Sequence, residues 1–133
     1  MPERGALLAI ETSQREQSVA VQSPDGQVLV ESVRTGDRSQ EDLLPAIDRA
    51  MRRAGLQPSD LRAVLLNAGP GGFTGLRVAH AAAQAMALAI SVPVVQVCAA
   101  RCAHQASVLC GELREHENAW VALACKGDES WLR

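Results

Sequence analysis

Four glycines fall within seven residues of this chain, in the run Asn67-Ala68-Gly69-Pro70-Gly71-Gly72-Phe73-Thr74-Gly75. Glycine lets the backbone turn tightly, and a helix starting from such a turn points its first N–H groups outward. A phosphate or another anion could then rest against Gly69, Gly71, Gly72, Thr74 and Gly75. The same glycines equally serve close strand-to-helix packing with no ligand at all. Two nucleotide motifs are excluded. No Gly-Lys-Ser/Thr follows, so the run is not a Walker A loop. Thr74 stands where Gly-x-Gly-x-x-Gly needs its third glycine.

Other reactive side chains are thinly spread. Cys98 and Cys102 are four apart, a spacing that shares one helix face, and His104 and Cys110 follow. There is no Cys-x-x-Cys, no His-Glu-x-x-His and no second cluster at zinc spacing, so no metal site is expected. His80, His104 and His116 lie too far apart for a local ligand pair. The four cysteines, Cys125 included, read as buried thiols rather than bridges. Thr12 and Ser13 end an apolar run, but no Gly-x-Ser-x-Gly elbow surrounds them. Glu11 could act as a general base, hold water around a metal–nucleotide, or be a solvated strand end. Asp25 and Asp60 belong to turns, and Asp37, Asp42 and Asp48 read as solvated.

The elements that must position these groups follow from patterning. The chain has 133 residues, 47 % hydrophobic and 21 % charged, which is a folded composition with room for one core. One Phe, two Trp and no Tyr leave that core to Ala, Val, Leu and Ile. A net charge of −2 argues against a protein that tracks nucleic-acid phosphates by itself. Leu76 to Val95 is interrupted by Arg77, His80, Gln84 and Pro93, so no membrane span is expected. Met1 to Gly5 lacks the pattern of a signal peptide, and a cytoplasmic location is expected.

Ala6–Ile10, Ser18–Ser23 and Gln27–Arg34 read as three strands of an antiparallel meander, with Pro24-Asp25-Gly26 as a turn. Ser39-Gln40-Glu41-Asp42 reads as a capped helix start, and Gly55 as its end. Pro45 is awkward inside that helix: either it kinks, or its regular part begins near Leu44. Ala63–Leu66 and Pro93–Val97 read as further strands, with helices over about Thr74 to Ile90 and Ala99 to Cys110. Gly111–Asn118 is a charged loop. Ala119–Ala124 is a strand, and Glu129–Leu132 begins its hairpin partner. The pattern βββαβαβα, then ββ, describes an α/β unit with a mixed sheet and flanking helices.

The helix after the glycine-rich turn is apolar almost all round, and such a helix is normally covered on more than one side. Its alanines would let a second helix approach closely; the plainer alternative is that they face water, since Ala is a strong helix former. We expect an interface there, built from Leu43, Leu44, Ile47 and Met51 of the first helix with Arg77, Val78, Ala81, Ala82 and Ala85 of the second.

Taken together, Leu7-Leu8-Ala9-Ile10-Glu11-Thr12-Ser13, Ser18-Val19-Ala20-Val21, Leu43-Leu44-Pro45 and Gly69-Pro70-Gly71-Gly72-Phe73-Thr74-Gly75-Leu76-Arg77 resemble the TsaB (YeaZ) family. The resemblance covers nearly the whole chain. It implies an ASKHA-type fold (actin- and sugar-kinase-like, ribonuclease H-like), with residues 1–110 as its N-terminal domain. Residues 111–133 would then be a loop and the start of a second half, into which the family normally continues.

The resemblance also implies a function. TsaB is the non-catalytic subunit of the bacterial machinery that makes threonylcarbamoyladenosine in tRNA. It pairs with the catalytic subunit TsaD, or with a second TsaB, through the helices on either side of the glycine-rich turn. The ATPase TsaE joins that pair. ATP and metal are expected on those partners, and tRNA only through the complex. TsaD's two metal-binding histidines align with Ala99 and Ala103, which cannot bind metal. Four positions depart from the family pattern: Glu11 and Gly72 replace an Asp and a Ser, Ser39 replaces a His, and Ala124 replaces an Asp. Three alternatives stand beside this one, the first a glycoprotease-like metalloenzyme, which would need metal ligands that Ala99 and Ala103 do not provide. An ASKHA phosphotransferase or nucleotide hydrolase would work through Glu11, and a homodimeric module would use the same helix face.

Overall fold

A computed structural model describes residues 5–34, 42–124 and 130–132. The expected Ser39 cap, Asp37 and Cys125 lie outside the described residues. Three strands open the chain: β1 (Ala6–Glu11), β2 (Gln17–Gln22) and β3 (Val28–Val33). They form the expected meander, β1 antiparallel to β2 and β2 to β3. After helix α1 (Leu43–Arg53), strand β4 (Leu61–Asn67) returns parallel to β1. Helix α2 (Phe73–Ile90) then leads to β5 (Val94–Val97), parallel to β4, and to helix α3 (Ala99–Leu109). The five-stranded order is β3-β2-β1-β4-β5, and β6 (Ala122–Ala124) with β7 (Ser130–Leu132) forms a separate antiparallel pair.

Register decides which side of the sheet is the core. Leu8 pairs with Val21 and Val64, and Ile10 with Val19 and Leu66, so these six side chains share one face. All six are buried. From above they meet Leu43, Ala46, Ile47, Ala50 and Met51 of α1 and Ala79 and Ala83 of α2. Alternation along each strand sends Leu7, Ala9, Ala20 and Leu65 to the opposite face, where they are half-buried. On the edge strand β3, Val28 and Val30 are exposed on that face. A second, smaller cluster joins Ala99 and Ala100 of α3 to Leu123.

The start of α1 differs from the sequence expectation. The regular helix begins at Leu43, and its first helical bond runs from the Ala46 N–H to the Asp42 carbonyl, 2.8 Å. Pro45 is thus the third residue of the helix, where an N–H would have no intrahelical acceptor, and no kink is required. Asp42 occupies the N-cap without capping through its side chain. Nor is Asp42 solvated as expected. Its carboxylate accepts from the Arg34 N–H at 2.8 Å and from the Arg49 guanidinium. Arg49 also reaches Glu31 on β3 at 3.1 Å, which ties α1 to the edge of the sheet.

At the other end, Gly55 takes the left-handed conformation (φ +68°). Its N–H bonds to the Arg52 carbonyl, and the Leu56 N–H to the Met51 carbonyl, both at 3.0 Å. This pair of bonds is a Schellman termination, which favours glycine at that one position.

Candidate functional site

β1 and β4 are parallel neighbours, so their C-terminal ends finish side by side. Because Ile10 pairs with Leu66, the next residues, Glu11 and Asn67, also lie abreast. Both connections leaving these ends are built on short polar side chains. Thr12 and Ser13 are each only 2 % exposed and Asn67 is 7 % exposed. One Glu11 carboxylate oxygen accepts from the Ser13 N–H, 2.6 Å, and from the Ser13 hydroxyl. The other accepts from the Asn67 side-chain amide. Asn67 Oδ1 in turn accepts from the Gly69 N–H at 2.9 Å. Glu11 is therefore not the solvated strand end the sequence allowed.

The glycine-rich turn lies directly on the β1–β2 connection. The Gly72 N–H donates to the Ser13 carbonyl at 2.7 Å, and the Thr12 hydroxyl donates to the Gly75 carbonyl at 2.9 Å. A Cβ on Gly71 would collide with the Ser13 carbonyl, and one on Gly75 with the Thr12 carbonyl. Gly72 has only an ordinary contact, 3.8 Å from the Ser13 oxygen. Gly69 bends the chain with φ +91°, and its carbonyl accepts the Ala99 N–H at 2.9 Å. Tight packing is thus one use of these glycines. On the outer side a cleft of about 470 Å³ remains, lined by Thr12 to Arg15, Gln17 and Gly71 to Gly75. Gln14 Nε2, also among its walls, is buried without a hydrogen-bond partner.

The nine side chains expected at an interface do not form one continuous surface. Leu43, Ile47 and Met51 are buried in the chain's own core, at 2, 6 and 5 % exposure, whereas Leu44 is 61 % exposed. Leu44, Ile47 and Met51 come together with Leu61 and Met86 along a groove of about 480 Å³. Val78 and Ala82 are half-buried against the core. Arg77, Ala81 and Ala85 are exposed. Arg77 and Ala81 border a different hollow, with Phe73, Leu76, His80 and Gln96. Two exposed apolar residues on α2 went unnoticed in the sequence, Phe73 at 72 % and Leu88 at 84 %. The Arg77 guanidinium stacks over the Phe73 ring, 5.2 Å from its centroid. Leu88 is legible in the all-round apolarity of the helix; Phe73 is not, because it sits within the glycine-rich run.

Cys98, Cys102 and Cys110 are reduced thiols. Cys102 is exposed rather than buried, as is Cys110. The Cys102 thiol titrates above its ordinary range, chiefly through partial burial, with added repulsion from the Glu11 and Cys98 charges. His104 Nε2 lies 3.0 Å from the Glu117 carbonyl rather than beside a cysteine. Among the described residues no three His, Cys, Asp or Glu side chains gather closely enough to hold a metal ion. No helix among them is long and apolar enough to cross a membrane.

This architecture has known relatives. The profile of the TsaD family, described as tRNA N6-adenosine threonylcarbamoyltransferase, matches residues 30–123. The tRNA threonylcarbamoyladenosine biosynthesis protein TsaB of Haemophilus influenzae is 29 % identical over 126 residues, spanning 95 % of this chain and 52 % of that protein. TsaB of Escherichia coli is 31 % identical over 91 residues, 68 % of this chain and 39 % of that protein. The solved structure of YeaZ from Pseudomonas aeruginosa superimposes with a TM-score of 0.81 at 29 % identity, covering 96 % of this chain and 57 % of that one. The chain thus spans about half the length of the first of these curated relatives. The five-stranded mixed sheet with flanking helices is the ASKHA-like α/β fold expected from the sequence. By its family profile and by its likeness to TsaB and YeaZ over part of their length, the chain belongs to the TsaD/TsaB family of tRNA threonylcarbamoyladenosine biosynthesis.

Proposed function

We propose that this chain is a non-catalytic scaffold subunit that pairs with a TsaD-like catalytic subunit and supports threonylcarbamoyl transfer to the adenosine next to the tRNA anticodon. The observation that carries it is the outer face of α2, where Phe73 and Leu88 stand exposed at either end of Arg77, Ala81 and Ala85. Leu44 of α1 is exposed as well, on a separate groove with Met86. An exposed apolar helix face with small residues at its centre suits close packing against another helix. In this proposal ATP and metal sit on the TsaD-like subunit and a TsaE-like ATPase, and tRNA is met through the complex. The cleft beside Gly71 and Thr74 is proposed to contact an anion, supported by the unpartnered Gln14 amide at its wall.

An ASKHA phosphotransferase working through Glu11 is less well supported, because both oxygens of that carboxylate already accept hydrogen bonds from the protein. The test is light scattering behind a sizing column, on this chain alone and mixed with the same organism's TsaD-like protein. A heterodimer is the expected result. A stable homodimer that ignores the partner would overturn the proposal in favour of self-association.

A further inference from the structure

The polar groups at the ends of β1 and β4 form one continuous relay across four elements. It runs from Ser13 to Glu11, from Glu11 to the Asn67 amide, from Asn67 Oδ1 to the Gly69 N–H, and from the Gly69 carbonyl to the Ala99 N–H that opens α3. Ser13 also holds Gly72, the residue before α2, through its carbonyl. The links lie between buried or partly buried groups, where an unmatched donor or acceptor is costly. Glu11 is the only carboxylate in the relay, and it takes donors from both the β1 and the β4 sides.

We infer that Glu11 is a positioning residue: through Asn67 it sets where the glycine-rich turn and the first turn of α3 sit on the C-terminal edge of the sheet. The role requires a donor facing an acceptor across residues 11 and 67, in either direction. It does not require the charge to be at residue 11. Three features point to this. Asn67 is buried at the end of a central strand, where its amide must find partners. Its two ends are divided between Glu11 and the Gly69 backbone, so its orientation is fixed by both. The Gly69 carbonyl, immediately beyond, holds the N-terminus of α3, whose first two residues, Ala99 and Ala100, are buried. Displacing Asn67 therefore moves the turn before α2 and the head of α3 together.

The polarity of the central link supplies the test. In Glu11→Gln the new amide faces the Asn67 amide, donor against donor. In Asn67→Asp two carboxylates face each other, acceptor against acceptor. The double variant, carrying both substitutions, reverses the link. The side-chain oxygen at position 11 still accepts from Ser13, and the new amide there donates to the carboxylate at position 67. That carboxylate still accepts from the Gly69 N–H. Net charge is the same as in the original chain. Amide hydrogen exchange on the full chain reads the outcome at Gly69 and Ala99, without any partner present, so it stands apart from the scaffold proposal. Each single variant is expected to lose about tenfold or more of the protection at both amides, and the double variant to recover most of it. If a single variant fails to fold, recovery of a folded, protected double variant carries the same meaning. Protection unchanged in both singles, or a double variant no better than the worse single, would overturn the inference.

Discussion

The Thr12 hydroxyl donates to the Gly75 carbonyl at 2.9 Å, joining two residues that are 63 positions apart in the chain. The bond is possible because Gly75, inside the first turn of α2, lets the helix backbone press against the end of β1. It makes the β1–β2 connection and the start of α2 one packed unit. The glycines are thus read first by the protein's own backbone, whatever else they meet on the outer side.

That packing separates neighbouring glycines in a way sequence cannot. Gly71→Ala places a methyl into the Ser13 carbonyl and against the Ser13 Cβ, with no flexible side-chain end to yield. It is expected to destabilise the fold by about 1–3 kcal/mol or more. Gly72→Ala meets only an ordinary contact at a residue with extended backbone (φ −60°, ψ 119°), and is expected to change stability by less than about 0.5 kcal/mol. Urea unfolding of the two variants checks the contrast, and equal losses would contradict it.

The alanines of α2 also divide. Ala85 is exposed, whereas Ala82 packs against the core. Ala85→Glu is expected to leave the unfolding midpoint nearly unchanged and to weaken association with a TsaD-like partner by about tenfold or more, because the charge must be desolvated. Ala82→Glu is expected to destabilise the monomer itself, by about 1–3 kcal/mol. Thermal unfolding together with light scattering distinguishes the two. Undiminished association in Ala85→Glu would remove α2 from the interface.

Acid sensitivity is expected from the junction of α1 and β3. The Glu31 carboxylate is held below its ordinary range, first by its hydrogen bond with Arg53 and then by Arg49. Asp42 is held low by Arg49 and by the Arg34 N–H. The folded values lie below the unfolded ones, so in that window the unfolded chain binds more protons and stability rises with pH. The contribution is complete above the unfolded carboxylate pKa, about 4, and is lost as pH falls through the folded values. The urea midpoint is therefore expected to drop between about pH 5 and about pH 3, and to drop less in Arg49→Met. A variant as acid-sensitive as the original would show that Arg49 does not hold these carboxylates.

Local signals were the legible ones. Pro24-Asp25-Gly26, Gly55 and the alternation of Val19 and Val21 act within a few residues, and each element they mark is present. Pro45 posed a choice that was resolved when the helix began only two residues before it. Long-range pairing was not legible. Glu11 and Asn67 are 56 positions apart, and nothing in either segment shows that β1 and β4 will lie in the register that joins them. Which surface a stripe buries against is hard to read for a related reason. The stripe Leu43, Ile47 and Met51 has the same spacing whether it faces a partner or its own sheet, and here it faces the sheet.

Strand β1 pairs on one side with the strand that immediately follows it and on the other with one that arrives only after α1. The meander can close through short loops, whereas β4 must enclose the whole intervening chain before its first pairing is rewarded. Contact order therefore divides the sheet into an early antiparallel part and a late parallel part, with β1 as their shared boundary. Until β4 pairs with it, one edge of β1 is an unpaired row of N–H and C=O groups, an extra edge on which a neighbour's strand could pair.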